Sequence, residues 1–138
     1  MDEASTRMKR TAIAVLLCLS SVPAGAAEKK DFDARWKEAQ QTIGGGAGEQ
    51  YFTVLFVKEF FGKYAVHMTK CSQRTGQIMK GDLTAAIELG ARGQVLAVMV
   101  RPESKLTKCF ADLVKRDTFS PPPSAHFWLP VTIRLTGS

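Results

Sequence analysis

Apolar residues return at helical spacing early in the chain. Phe32, Trp36, Ala39 and Ile43 stand at i, i+4, i+7 and i+11, with lysine, glutamate, arginine and aspartate between them. Positions three and four apart share one face, so the spacing predicts an amphipathic helix over Glu28–Ile43. Gly44-Gly45-Gly46-Ala47-Gly48 follows. Glycine loses the most backbone freedom on ordering, and the run reads as a flexible linker. It lacks both the Gly-Lys-Ser/Thr ending and the preceding strand of a Walker loop, which excludes that phosphate site. Phe52, Phe56, Phe60 and Tyr64 then recur every four residues, with His67 one step on. Tyr51–Val57 alone has the composition of a buried strand. The ridge runs over three turns, however, and favours a helix across Glu49–Met68 whose rings fill the core rather than hold a cofactor.

Beyond Asp82 the period changes to two. Leu83, Ala85, Ile87 and Leu89 alternate with polar or small residues, Gly90-Ala91-Arg92-Gly93 turns the chain, and Gln94–Val100 is again apolar. This is the pattern of an antiparallel hairpin. Ser104 is placed to cap a helix over Lys105–Arg116, with Leu106, Cys109, Phe110, Leu113 and Val114 on one face. Phe119-Ser120-Pro121-Pro122-Pro123 is a stiff extended connection, because consecutive prolines fix φ. Phe127, Leu129, Val131, Ile133 and Leu135 close the chain as a strand with one wholly apolar face. Pro130 cannot donate to a ladder, so this strand lies at an edge or carries a bulge there. Together the elements predict an α+β fold: a small antiparallel three-stranded sheet in β-β-α-β order, with the preceding helices packed on one face.

The N-terminus adds a compartment. Lys9-Arg10, the apolar run Ala12–Leu19, the break at Ser20, Ser21 and Pro23, and Ala24-Gly25-Ala26-Ala27 make the three parts of a cleavable signal peptide over residues 1–27, cut after Ala26 or Ala27. The run is about half the roughly 20 residues of a membrane span. Leu17 before Cys18 is too large for lipoprotein cleavage. Asp2 and Glu3 are unusual in such a signal, and Met8 is an alternative start to Met1. The expected organisation is therefore a signal at 1–27, the amphipathic helix and Gly-rich linker at 28–48, and an α+β domain at 49–138. A periplasmic or secreted location follows.

Of 19 Lys+Arg and 13 Asp+Glu, three and two lie in residues 1–27, so the remainder carries a formal +5. No basic cluster interleaved with aromatics accompanies that charge, and export argues against nucleic acid as a partner. Cys18 leaves with the signal. Cys71 and Cys109, an even pair in an oxidising space, are expected to form a disulfide. His67, Met68 and His126 offer a loose copper- or haem-like set, but one His and one Cys without further ligands do not make a metal site. Asp82, Glu88, Glu103, Asp112 and Asp117 are isolated carboxylates with no spacing that pairs them for hydrolysis. Ser104 and Ser124 lack a Gly-x-Ser-x-Gly setting. No catalytic residue and no cofactor is assigned.

Gly93-Gln94-Val95-Leu96, Arg101-Pro102-Glu103-Ser104, Phe119-Ser120-Pro121-Pro122 and Leu129–Leu135, set in β-β-α-β order, resemble the C-terminal domain of TonB-like periplasmic proteins over about Gly81–Thr136. The chain departs from that family's energy transducers in having a cleavable signal and no long Pro-rich span, so force transmission is not implied. The resemblance implies a fold and an exposed sheet edge that pairs with a partner's strand, a mode that a small open sheet also suggests by itself. The functional expectation is an exported, non-enzymatic interaction module contacting an envelope protein along the last strand, near Trp128, Pro130, Thr132 and Arg134. Packing of Trp128 under the aromatic helix is the competing expectation for that residue. An inhibitor or immunity protein for an envelope hydrolase is the alternative function, and a copper or haem binder the second.

Overall fold

The computed structural model describes residues 24–134. The expected signal peptide falls outside the described residues except for its last four positions, which begin helix α1 (Ala24–Thr42). Phe32 and Ala39 are the buried residues of α1's apolar stripe, with Trp36 and Ile43 half-buried.

The glycine run is a tight corner and not a spacer. Helix α2 (Gly46–Tyr51) starts inside it, leaving only Ile43-Gly44-Gly45 between two helices. Gly48 is needed for this approach: a Cβ there would meet the carbonyl oxygen of Thr42 at 2.0 Å. α2 continues without a break through a π-helical turn, Phe52–Phe56, into α3 (Val57–Thr75). A π turn admits one extra residue, which brings Tyr51 and Phe56, five apart, to the same interior. Rings of Phe52, Phe56, Phe60 and Tyr64 then stack in sequence at centroid distances of 5.9, 5.7 and 6.3 Å. Gly76, with φ 68°, supplies the left-handed C-cap of α3.

Strands β1 (Asp82–Leu89), β2 (Val95–Arg101) and β3 (Phe127–Arg134) form an antiparallel sheet in the order β2-β1-β3. Leu135, expected in the last strand, lies outside the described residues. The hairpin turn depends on Gly93: its φ is 83°, and a Cβ added there would lie 1.8 Å from the Phe119 carbonyl oxygen, which excludes any side chain. Its own carbonyl accepts the Phe119 N–H at 2.8 Å. Between β2 and β3 runs α4 (Lys105–Val114), capped as expected by Ser104. The Thr107 N–H donates to Ser104 Oγ at 3.1 Å, and the Ser104 N–H donates to Thr107 Oγ1 at 2.8 Å.

The fold class is the expected one, but the helices divide between the two faces. Leu83, Ala85, Ile87 and Leu89 of β1, with Leu129, Val131 and Ile133 of β3, meet the aromatic ridge and Leu106, Phe110 and Val114 of α4. The opposite face buries Ala86 and Trp128 against Ala39 and Trp36 of α1, with Ala97 and Met99 of β2 beside them. The expectation of one covered face is thereby corrected. Alanines at the alternate positions make a second apolar face that the simple alternation of large residues conceals.

Cys71 of α3 and Cys109 of α4 form a disulfide, with Cα atoms 5.7 Å apart. It fastens the aromatic helix to the helix that connects the two edge strands.

Candidate interaction surface

β1 is central and pairs on both sides, so β2 and β3 are the edges. They are unequal. β3 pairs with β1 at eight consecutive positions, from Asp82↔Arg134 to Leu89↔Phe127, without a register shift at Pro130. An unbroken ladder through a residue with no N–H turns that nitrogen to the outer side, and a proline there removes a donor from the middle of the free edge. β2 carries no proline within it and reads Val-Leu-Ala-Val-Met-Val-Arg. Its start is held by an isolated bridge, Gln94↔Thr118. Beyond that bridge, no further strand pairs with its outer side among the described residues. Leu96 is exposed, and Ala97, Val98, Met99 and Val100 are half-buried. Val95 pairs with Leu89 and Ala97 with Glu88, which leaves Leu96 as a bulge, but beyond it residues 97–100 are apolar, uncharged and keep every backbone donor, so β2 is the edge better suited to receive another strand.

The four residues expected to meet a partner separate accordingly. Trp128 is buried beneath α1, with the Arg35 guanidinium 5.1 Å from its ring centroid, and not beneath the aromatic helix. Pro130 is buried as well. Their side chains are therefore unavailable at a surface: α1, the helix that sequence periodicity placed on the other face, covers them. Thr132 and Arg134 are exposed. Farther along the sheet, level with Thr132, the cover is fixed by charge as well as by packing. Arg101 of β2 bonds Asp33 of α1 at 3.0 Å and lies 4.4 Å from the Phe32 ring centroid.

His67 stands in the middle of α3, not at a helix end. Its Nε2–H donates to Asp117 Oδ2 at 2.7 Å, while Nδ1 is buried without a partner. His126, exposed and at φ 53°, lies 3.5 Å from Glu88. Each histidine thus has a carboxylate of its own, and Cys71 is committed to the disulfide. Among the described residues no group of three His, Cys, Asp or Glu is gathered as for a metal ion, and no helix is long and apolar enough to cross a membrane.

A polar knot that sequence spacing does not reveal ties the proline segment to the helices. The Tyr51 hydroxyl donates to the Ser120 carbonyl at 2.5 Å, the Ser120 N–H donates to Glu59 Oε2 at 2.8 Å, and the Ser120 hydroxyl donates to Glu59 Oε1. Burial, aided by the Glu59 carboxylate, pushes the Tyr51 hydroxyl up to about 12. The Tyr64 hydroxyl is also raised by burial. Beside the knot, Ala47, Gln50, Tyr51, Val54 and Leu55 face Pro121-Pro122-Pro123 across a shallow groove of about 360 Å³. These partners are 61 and 69 residues apart.

Compared with known proteins, the chain matches no family model, no curated protein and no solved structure.

Proposed function

We propose that this chain is an exported, non-enzymatic interaction module of the cell envelope that takes an extended segment of a partner protein onto the outer edge of β2. The observation that carries this reading is the asymmetry of the sheet. One edge lacks a backbone donor at Pro130, whereas the other, bulged at Leu96, keeps every backbone donor along the apolar residues 97–100. Main-chain pairing gives such an edge affinity for an extended segment, and the side chains on either side of the strand select its sequence. The tripartite signal at residues 1–27 and the resemblance of Gly81–Thr136 to TonB-like C-terminal domains support an envelope partner, although the contact moves from β3 to β2. A disulfide between two layers suits a small protein working in an oxidising space.

The experiment is site-specific photo-crosslinking in envelope extract, with the probe at Leu96 of β2 or at Thr132 of β3. A discrete adduct is expected from Leu96. It is also expected to vanish when proline replaces whichever of Ala97 and Val98 turns its N–H outward, since neighbours on a strand alternate in that direction. Adducts confined to Thr132, or none from either position, overturn the reading.

A further inference from the structure

We propose that the partner segment received by the β2 edge is one in which carboxylates alternate with apolar residues, a refinement that rests on the β2-edge reading. A strand laid along residues 97–100 turns its side chains alternately to the two faces of the sheet. The two faces offer it different surroundings. On one, Ala97 and Met99 are half-buried, with Trp36 of α1 half-buried beside them. Asp33 of α1 bonds Arg101 of β2 while Arg35 lies over Trp128 of β3, so α1 turns its Asp33 flank toward the β2 edge. Trp36 and Gln40 share that flank at helical spacing, with Lys37 farther out in solvent. Asp33 is already paired. Glu88, the β1 neighbour of Ala97, points to this same face. An apolar side chain finds a floor of Ala97, Met99 and Trp36 here, whereas a carboxylate would meet Glu88.

The other face carries lysines. After Arg101 the chain runs back over β2 as α4, whose Leu106, Phe110 and Val114 pack on the core side, and Thr118 then bridges Gln94 at the strand's start. Cys109 marks the flank of α4 turned to α3, because the disulfide crosses there. Lys108, Ala111 and Lys115, at i, i+3 and i+7, fall on the flank away from Cys109, which overhangs the outer edge of β2. Lys105 and Arg116 lie nearer the Cys109 flank, and Asp112 stands on the outer crest. Lys108 and Lys115 are exposed, Ala111 between them is half-buried, and among the described residues neither lysine has a carboxylate within 4 Å. Arg92 and Glu103, off the two ends of β2, are of opposite sign. Val98 and Val100 point to this face, so side chains of an added strand beside them run under the two ammonium groups. Carboxylates there gain two ion partners. A second copy pairing β2 with β2 would bring valines and no carboxylate beneath these lysines.

The test uses three labelled synthetic peptides, alternating glutamate with valine, lysine with valine, or glutamate with serine. Each is titrated into the full disulfide-bonded chain and followed by fluorescence anisotropy. The glutamate–valine peptide is expected to bind most tightly, to weaken as salt rises, and to form an adduct with a photo-probe at Leu96. Lys108→Gln combined with Lys115→Gln should lower its affinity about fivefold, the modest worth of two exposed ion pairs. Lys108→Glu combined with Lys115→Glu should reverse the order, so that the lysine–valine peptide binds better. Both pairs are in solvent, and the circular dichroism spectrum should not change. Equal affinity for the two valine peptides, an unreversed order in the glutamate pair, equal binding of the glutamate–serine peptide, or no binding of any would overturn the proposal. So would Leu96 adducts between two copies of the chain. A peptide that joins Leu96 without regard to charge removes this proposal and leaves the β2-edge reading standing, whereas adducts confined to Thr132 remove the edge reading itself.

Discussion

Tyr51 shows how much one side chain can join. Its ring packs edge-on to Phe127 with centroids 5.4 Å apart, and its hydroxyl holds the Ser120 carbonyl. The hydroxyl ionises near 10 in an unfolded chain and is raised to about 12 in the fold. Between those values the unfolded chain loses its proton first, so unfolding gains as pH climbs. Tyr51's contribution is therefore complete below pH 10 and is lost on approach to about 12. Tyr51→Phe should cost about 1 kcal/mol near neutrality for the missing hydrogen bond. It should also make the alkaline fall in stability shallower, leaving the part due to Tyr64. Urea midpoints of the two proteins, followed from neutral to strongly alkaline pH, check both expectations. Individual positions were unequally legible: Ser104 announced its cap, and Cys71 and Cys109 their bond. Glu59, Ser120 and Tyr51 did not announce each other, since chain-distant polar partners leave no periodic trace.

At the level of elements, periodicity served well wherever large apolar residues carried it. The β1–β2 hairpin, α4 and β3 lie where their spacing put them, whereas the aromatic helix, expected to end at Met68, runs on to Thr75. The failures have a common cause in small residues. Glycine suggests looseness by its conformational freedom, yet in Gly44–Gly48 it permits close approach, with α2 folding back against the last turn of α1. Gly48→Ala should destabilise the protein by about 1–3 kcal/mol, as overpacking does. Gly45→Ala, with nothing within 4 Å of its Cβ position, should change little. Thermal unfolding of the pair distinguishes a packed corner from a flexible joint. Alanine misled in the opposite way. Ala86, with no accessible surface, occupies a position that alternation had left to the solvent side, and it is this residue that allows α1 to lie against the sheet. Of the candidate contact residues, exposure on β3 was legible for Thr132 and Arg134 but not for Trp128 and Pro130, because nothing local shows which face a distant helix will cover.

The whole molecule is a three-stranded sheet held between unlike layers. On one side α3 and α4 are joined covalently across a sequence separation of 38 residues. Chain entropy makes such a link worth about 4 kcal/mol, a large share of the 5–15 kcal/mol typical of a folded domain. Reduction, or Cys71→Ser with Cys109→Ser, should therefore lower the urea midpoint sharply. Measurements with and without reductant, at constant pH, test this directly. The other layer is α1 alone, resting on its packing against Ala86 and Trp128 and on the Asp33–Arg101 contact.

Both tryptophans of the chain, Trp36 and Trp128, belong to that uncrosslinked layer. Indole emission is consequently a one-sided witness. It follows the parting of the N-terminal helix from the strands beneath it, while the sulfur-bound half can melt or survive largely unseen by the same light.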